Sequence, residues 1–329
     1  GTWDYPFTTL GLPAITVGAA AYNWINFSAS KIYQSSNGSI WFIDASPATD
    51  MNNAPPVLKY DNGNFSAFHI SLANFPNKGA VLTMVEDALG NLWFGCQDGL
   101  IKQDAVTGLF STYTPPVVNY GASAGTHNAT NVFDLDYDAN NKIVMLTGVV
   151  SNLLANSSLM RIFTPATNTW EYWTHLDAPW KDATRAFYAP SDLLATRDAN
   201  NRIYASSNGG GLYEVVNSDW SSDSLIQIAD FLRGWSYGLF SFDNIYTNLP
   251  DFTRRVFLDN ENELWLFASS GGEINAYKKM YETPTNFGLS LATYHLFGSK
   301  KSQHLYNNNG SMAHSQYQDM VFSDEGEIW

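Results

Sequence analysis

Cysteine is almost absent: the 329 residues hold one, Cys96. That excludes an internal disulfide and any metal site built from several thiolates, and its place inside an apolar run reads as a buried, inert thiol. Positive charge is scarce too, with 17 Lys and Arg against 31 Asp and Glu and a net charge of −14. No run of Lys or Arg supplies the basic stripe that a phosphate backbone requires, which excludes nucleic acid as a partner. The longest apolar stretch, around Ile15 to Ile25, is interrupted by Asn23 and is too short for a bilayer, so no direct membrane insertion is expected. Nor does a basic segment followed by an apolar one mark a signal peptide. Few cysteines and abundant Asn, Ser and Thr suit an exported protein of the periplasm or cell surface, whose signal would already have been removed. No Gly-x-Ser-x-Gly elbow, phosphate-binding glycine loop or dinucleotide fingerprint occurs, so neither a catalytic residue nor a cofactor is predicted.

What the chain does contain is a repeat. Six segments align without a gap: SSNGSIW ending at Trp41, DALGNLW at Trp93, DANNKIV at Val144, DANNRIY at Tyr204, DNENELW at Trp265 and SDEGEIW at Trp329. Three residues before each anchor stand Gly38, Gly90, Asn141, Asn201, Asn262 and Gly326, the two residue types that accept a left-handed backbone in a tight hairpin. Directly before it come Ile40, Leu92, Ile143, Ile203, Leu264 and Ile328, as expected of a strand buried on both faces. Six residues before it lie Ser35, Asp87, Asp138, Asp198, Asp259 and Ser323, short side chains able to bond the turn's own amides. A second hairpin follows the first. It is clearest from Gly99 to Tyr113 and from Ser158 to Trp173, shorter from Val57 to Phe68, and fragmentary at Gly211-Leu212 and at Tyr294 to Phe297. Four antiparallel strands per repeat describe a blade, so the fold expected is an all-β propeller of four-stranded antiparallel blades, about six in number within a range of five to seven. Residues 1–329 then form a single domain. The chain stops on the second strand of the sixth unit while Thr2 to Phe7 resembles a closing strand, so the last blade is expected to be incomplete and the chain a piece of a longer one.

The run from Glu86 to Thr114, EDALGNLWFGCQDGLIKQDAVTGLFSTYT, carries an Asp, a turn Gly, a Trp, a Gly-Leu pair, a second Asp and a closing aromatic in order. In this it resembles the two-component regulator propeller repeats of the extracytoplasmic sensor region of bacterial hybrid two-component systems. Val144 and Tyr204 depart from the pattern by replacing the Trp, and the repeats are longer than that family's unit. The resemblance implies a noncatalytic sensor propeller that binds a small molecule, a glycan or a protein, with dimerisation or a downstream signalling domain as its output. Similar repeats in surface proteins leave a secretion-associated scaffold as an alternative, and the fold also allows a glycan lyase or glycosidase.

Candidate chemistry is sparse. Asp134, Asp136, Asp138 and Asn140 alternate as calcium ligands would, but they coincide with an inner strand and its turn, and no Gly and distal Glu complete a loop. His69, His127, His175, His295, His304 and His314 lack zinc spacing, so no metal site is predicted. The anchors Trp41, Trp93 and Trp265 belong to the core. The first hairpins are constant in length and the surplus residues fall mainly in connections that emerge on the opposite face, with Lys278 to Ala292 as an exception between third and fourth strands. Those long loops hold His127, Trp180, Lys181, Arg185, Tyr188, Trp235, Tyr237 and Asp243, aromatic and charged groups that the repeat does not explain. They are the expected ligand-binding residues.

Overall fold

The structure is a computed structural model that describes residues 12, 14–17, 20–24, 27–44, 54–119, 126–127, 130–148, 159–174, 190–197, 201–207, 211–215, 225–229, 253–258, 264–270, 273–278, 280–281, 294–295 and 304–306. Among these, apolar runs bounded by Gly, Asn and Asp form five four-stranded antiparallel sheets. The first has strands Lys31–Gln34, Ile40–Ile43, Val57–Asp61 and Asn64–Phe68. The second has Val81–Glu86, Leu92–Cys96, Gly99–Gln103 and Phe110–Tyr113. The third runs Asn131–Tyr137, Ile143–Gly148, Leu159–Thr164, Thr169–Thr174, and the fourth Pro190–Ala195, Ile203–Ser207, Gly211–Val215, Leu225–Ala229. In each of these four sheets the strands lie side by side in chain order, as the repeat predicts.

The fifth sheet departs from expectation. Its strands Thr253–Leu258, Leu264–Ser270 and Glu273–Lys278 are followed in the sheet by His304–Tyr306, where Tyr294 to Phe297 was expected. Tyr294–His295 pairs instead with Met280–Tyr281, so the long connection contains a small hairpin of its own. The sixth repeat lies outside the described residues, as do Asn262 and Gly326.

Turn chemistry follows the aligned positions wherever they are described. Gly38, Gly90, Asn141 and Asn201 have φ of 85°, 80°, 58° and 44°. The second hairpins repeat the device with Asn62 and Gly63 between paired Asp61 and Asn64, with Gly108, and with Asn168. At Gly90 the left-handed backbone is the constraint, since a Cβ there would make only ordinary contact, 3.4 Å from that of Ala105. Gly90→Val is expected to cost about 1 to 3 kcal/mol through backbone strain, read as a lower midpoint in urea unfolding.

The chain divides into two compact units, one of residues 1–118 with 128–136 and one of residues 119–127 with 137–329. In the first, one core lies between the first two sheets and holds Trp41, Ile43, Val57, Phe75, Met84, Phe94 and Ile101. Phe75, from the connection between those sheets, wedges edge-on against Phe94 at 5.6 Å and Phe110 at 5.4 Å. Cys96 is fully buried in the same core, and burial pushes its thiol far above the ordinary range, which accords with an inert role. The opposite face of the first sheet, with Leu58 and Ala67, packs against Ile15, Tyr22, Trp24 and Phe27. In the second unit the core joins Val144, Leu146 and Met160 to Leu193, Ala195, Ile203 and Ala205. The residues before the anchors are not uniform. Ile143 and Ile203 are fully buried, but Ile40 and Leu92 are only partly buried, and Leu92 lines an open cavity at the turn end of its strand.

The connection after the first sheet is tied by a buried histidine. The Ser71 amide donates to His69 Nδ1 at 3.0 Å, which leaves Nε2 to donate to the Ala54 carbonyl at 2.7 Å. Burial holds the imidazole below its ordinary value of 6.5, with the bond to Ala54 opposing in part. The neutral form is therefore the folded one, and its stabilisation is complete above about pH 6.5 and lost as the pH falls below it. Urea midpoints measured from pH 7.5 down to about pH 5 are expected to decline for the wild type, and to lose part of that slope in His69→Gln.

Candidate functional site

Of the eight loop residues expected to bind ligand, Trp180, Lys181, Arg185, Tyr188, Trp235, Tyr237 and Asp243 lie outside the described residues. His127 is described in its backbone, in the strand Thr126–His127, which pairs with Val118–Asn119. The described residues instead show in detail how the repeat's polar positions are used.

Asp87 is the fullest case. Its Oδ1 accepts from the amides of Leu89 at 2.9 Å and Asn91 at 3.0 Å, and its Oδ2 accepts from Asn91 Nδ2 at 2.9 Å and from the indole Nε1 of Trp93 at 2.8 Å. One buried carboxylate thus caps the turn and fixes the anchor tryptophan. Asp138 caps its turn the same way, accepting from Asn140 N and Lys142 N at 2.9 and 2.8 Å. Its anchor is Val144, which has no indole, and its Oδ2 accepts from Asn201 Nδ2 at 3.2 Å instead, while Asn201 Oδ1 accepts from the Ala139 amide at 2.7 Å. Asn201 therefore serves its own left-handed turn with its backbone and the preceding repeat's turn with its side chain. In the first sheet Ser35 stands in place of the acid, and its single hydroxyl hydrogen is shared within its own turn between Asn37 Oδ1 at 2.8 Å and Ser39 O at 3.0 Å. Asn37 Oδ1 takes the Ser39 amide at 3.0 Å, and the buried Trp41 Nε1 and Ser39 Oγ have no partner among the described residues.

A second network escaped the sequence reading. Lys31 Nζ donates to Thr83 Oγ1 at 2.6 Å and to Asp134 Oδ1 at 2.7 Å, and Thr83 Oγ1 donates to the same oxygen at 2.9 Å. These residues come from the first strands of three successive repeats, each four positions before the turn residue Ser35, Asp87 or Asp138. That shared position was the available signal. Asp134, weighed as a calcium ligand, is a buried ion-pair partner, and Asp138 is a turn cap. Among the described residues no group of three or more His, Cys, Asp or Glu side chains is arranged to hold a metal.

The turns of the first two sheets flank an open cavity of about 350 Å³. Ser35, Asn37 and Trp41 line it from the first sheet with Lys59, and Glu86 and Asp104 from the second. Glu86 accepts from the Ser36 amide and hydroxyl, both at 2.5 Å, and so joins the two sheets at the cavity's edge. Asp104 accepts from the Thr107 amide and hydroxyl and from the Val106 amide, and the Thr107 bonds hold its carboxyl below the usual carboxylate range. Lys59 stands 5.6 Å from the centre of the Trp41 ring, just as Lys102 stands 5.8 Å from that of Trp93.

Comparison with known proteins gives no matching family model and no matching curated protein. Among solved structures, the chain is similar to the extracellular domain of a protein described as a hybrid two-component system from B. thetaiotaomicron, with 13% identity and a TM-score of 0.51 over 92% of this chain and 38% of that one. It also matches the extracellular domain of one described as a one-component system from the same organism (14% identity, TM-score 0.44, 88% and 37% covered). A third match is the calcium-binding protein regucalcin of Agrobacterium tumefaciens (10%, 0.41, 76% and 74%). The chain spans well under half the length of the first two. Among the described residues no helix is long and apolar enough to cross a membrane. The five four-stranded antiparallel sheets and the first of these likenesses make the fold a β-propeller.

Proposed function

We propose that this propeller is an exported, noncatalytic recognition module, the sensor input of a bacterial signalling protein, which binds a small molecule, a glycan or a protein through its long loops. The observation that carries the reading is the way the repeat spends its polar residues. Asp87, Asp138, Ser35 and Asn201 hold turns, and Lys31, Thr83 and Asp134 join strands, so these repeat positions serve as scaffold and recognition at the long loops falls to residues the repeat does not specify. The resemblance of the Glu86–Thr114 repeat to sensor propellers points the same way, as does the fold shared with an extracellular domain of a hybrid two-component system. Binding of purified protein to an array of oligosaccharides, amino acids and envelope extracts tests it. With a ligand in hand, Trp180→Ala and Trp235→Ala are expected to weaken binding by about 1 to 3 kcal/mol each and leave thermal unfolding nearly unchanged. Two variants that bind as the wild type does would move the site away from these loops.

A further inference from the structure

We propose that the cavity at the turn end of the first two sheets binds a small amino carboxylate, such as a free α-amino acid, whose carboxylate takes the place that the Asp87 side chain holds in the second sheet. This site is distinct from the long loops and does not rest on the reading above.

The two sheets are copies of one design, so each shows what the other lacks. In the second, a carboxylate is gripped by Trp93 Nε1 at 2.8 Å and by Asn91 Nδ2 at 2.9 Å. The first keeps the indole as Trp41 and places Ser39 where Asn91 stands, but Ser35 replaces the acid. Trp41 and Ser39 are 2% and 1% exposed, and Trp41 Nε1 and Ser39 Oγ are the buried side-chain donors left without a partner among the described residues. Ser35 and Trp41 both line the cavity, so the missing acceptor and the open space adjoin. An oxygen acceptor from outside completes the arrangement, and a carboxylate is the group the fold itself uses there.

Charge on the walls specifies the rest of the ligand. Lys59 adds a cation beside Trp41, whereas Glu86 and Asp104 line the side contributed by the second sheet. A bare anion would meet these two acids, but an ammonium group on the same small molecule is matched by them. A volume of about 350 Å³ admits a ligand of this size with room to spare. Both orphaned donors are covered in this structure, so the carboxylate reaches them when the Ser35 side chain turns out of its bonds to Ser39 and Asn37.

Titration calorimetry with glycine, L-alanine and L-serine, and with acetate as the probe lacking an ammonium group, tests the site. The wild type is expected to bind at least one amino acid saturably, and acetate about tenfold more weakly or not at all. Ser35→Asp, which restores the internal carboxylate, is expected to abolish binding while its unfolding midpoint holds or rises. Trp41→Phe is expected to weaken binding by about tenfold, the loss of one hydrogen bond. Absence of saturable binding to all three amino acids overturns the proposal, even if Ser35→Asp stabilises the fold, since water alone would then serve the donors. Ser35→Asp binding like the wild type overturns it equally. Should Trp41→Phe fail to fold, the Ser35→Asp comparison decides.

Discussion

Gly99→Ala is expected to destabilise the protein by roughly 3 to 5 kcal/mol, from left-handed strain and forced overpacking together. Gly99 opens the third strand of the second sheet with φ of 106°, which L side chains rarely adopt. Space is the harder constraint. A Cβ at this position would lie 2.3 Å from the carbonyl oxygen of Tyr113 and 3.0 Å from Pro115 Cδ, and a backbone carbonyl cannot rotate away as a side chain can. Relief would require the strand Phe110–Tyr113 to shift, at the cost of its pairing of Tyr113 with Leu100, or Gly99 itself to move, at the cost of the bond from its amide to Thr130 O. Urea unfolding of purified Gly99→Ala checks this, and a midpoint within error of the wild type would show that the sheet edge yields freely. Gly63→Ala is the control, because that glycine is left-handed with nothing within 4 Å and should cost only the strain, about 1 to 3 kcal/mol.

Asp87→Ala is expected to cost about 3 to 5 kcal/mol by stranding several buried donors at once. Asp87 is 4% exposed and its carboxylate serves two turn amides, the Asn91 side chain and the Trp93 indole. Water has poor access to replace it, since Trp93 is fully buried and Asn91 is 5% exposed. Asp87→Asn should fall between, because its amide oxygen can serve the turn while its NH2 group faces an indole N–H and an Asn91 NH2 that also donate. Trp93→Phe in the Asp87→Ala background separates the contributions. If the indole bond carries a large share, the double variant is less destabilised than the two single costs summed, and strict additivity would assign the cost to the turn alone.

The scaffold was legible in the sequence to the extent that local chemistry dictates it. Gly90 and Asn141 could be placed in left-handed turns because few other residues tolerate that backbone, and Asp87 could be assigned to its own amides because the contact spans only a few residues. Trp93 and Trp41 were legible as core from their recurrence alone. Contacts between repeats were not legible in the same way. Nothing local in Asn201 reveals that its side chain reaches the amide of Ala139, 62 residues away. Lys31, Thr83 and Asp134 look unrelated until the alignment is read as a set of rungs at equal height. The fourth strand of the fifth sheet was misplaced because Tyr294 and His295 satisfy a strand pattern equally well in a side hairpin, and a two-residue pairing leaves little periodicity to distinguish the two. The loop residues from Trp180 to Asp243 owe nothing to the repeat, so the reasoning that found the scaffold has no purchase on them.

The bond from Asn201 to Asp138 also bears on how such a chain can change over time. A repeat whose every polar group were satisfied internally could be copied, deleted or transplanted as one cassette. The third and fourth repeats lack that freedom. With Val144 in place of an indole, Asp138 depends on a side chain encoded by its downstream neighbour. Asp87 Oδ2 takes an indole and an amide from its own repeat, whereas Asp138 Oδ2 takes its side-chain donor from the next one. The two repeats are a coupled pair for anyone engineering the chain: a change at Asn201 reaches back into the preceding repeat's turn.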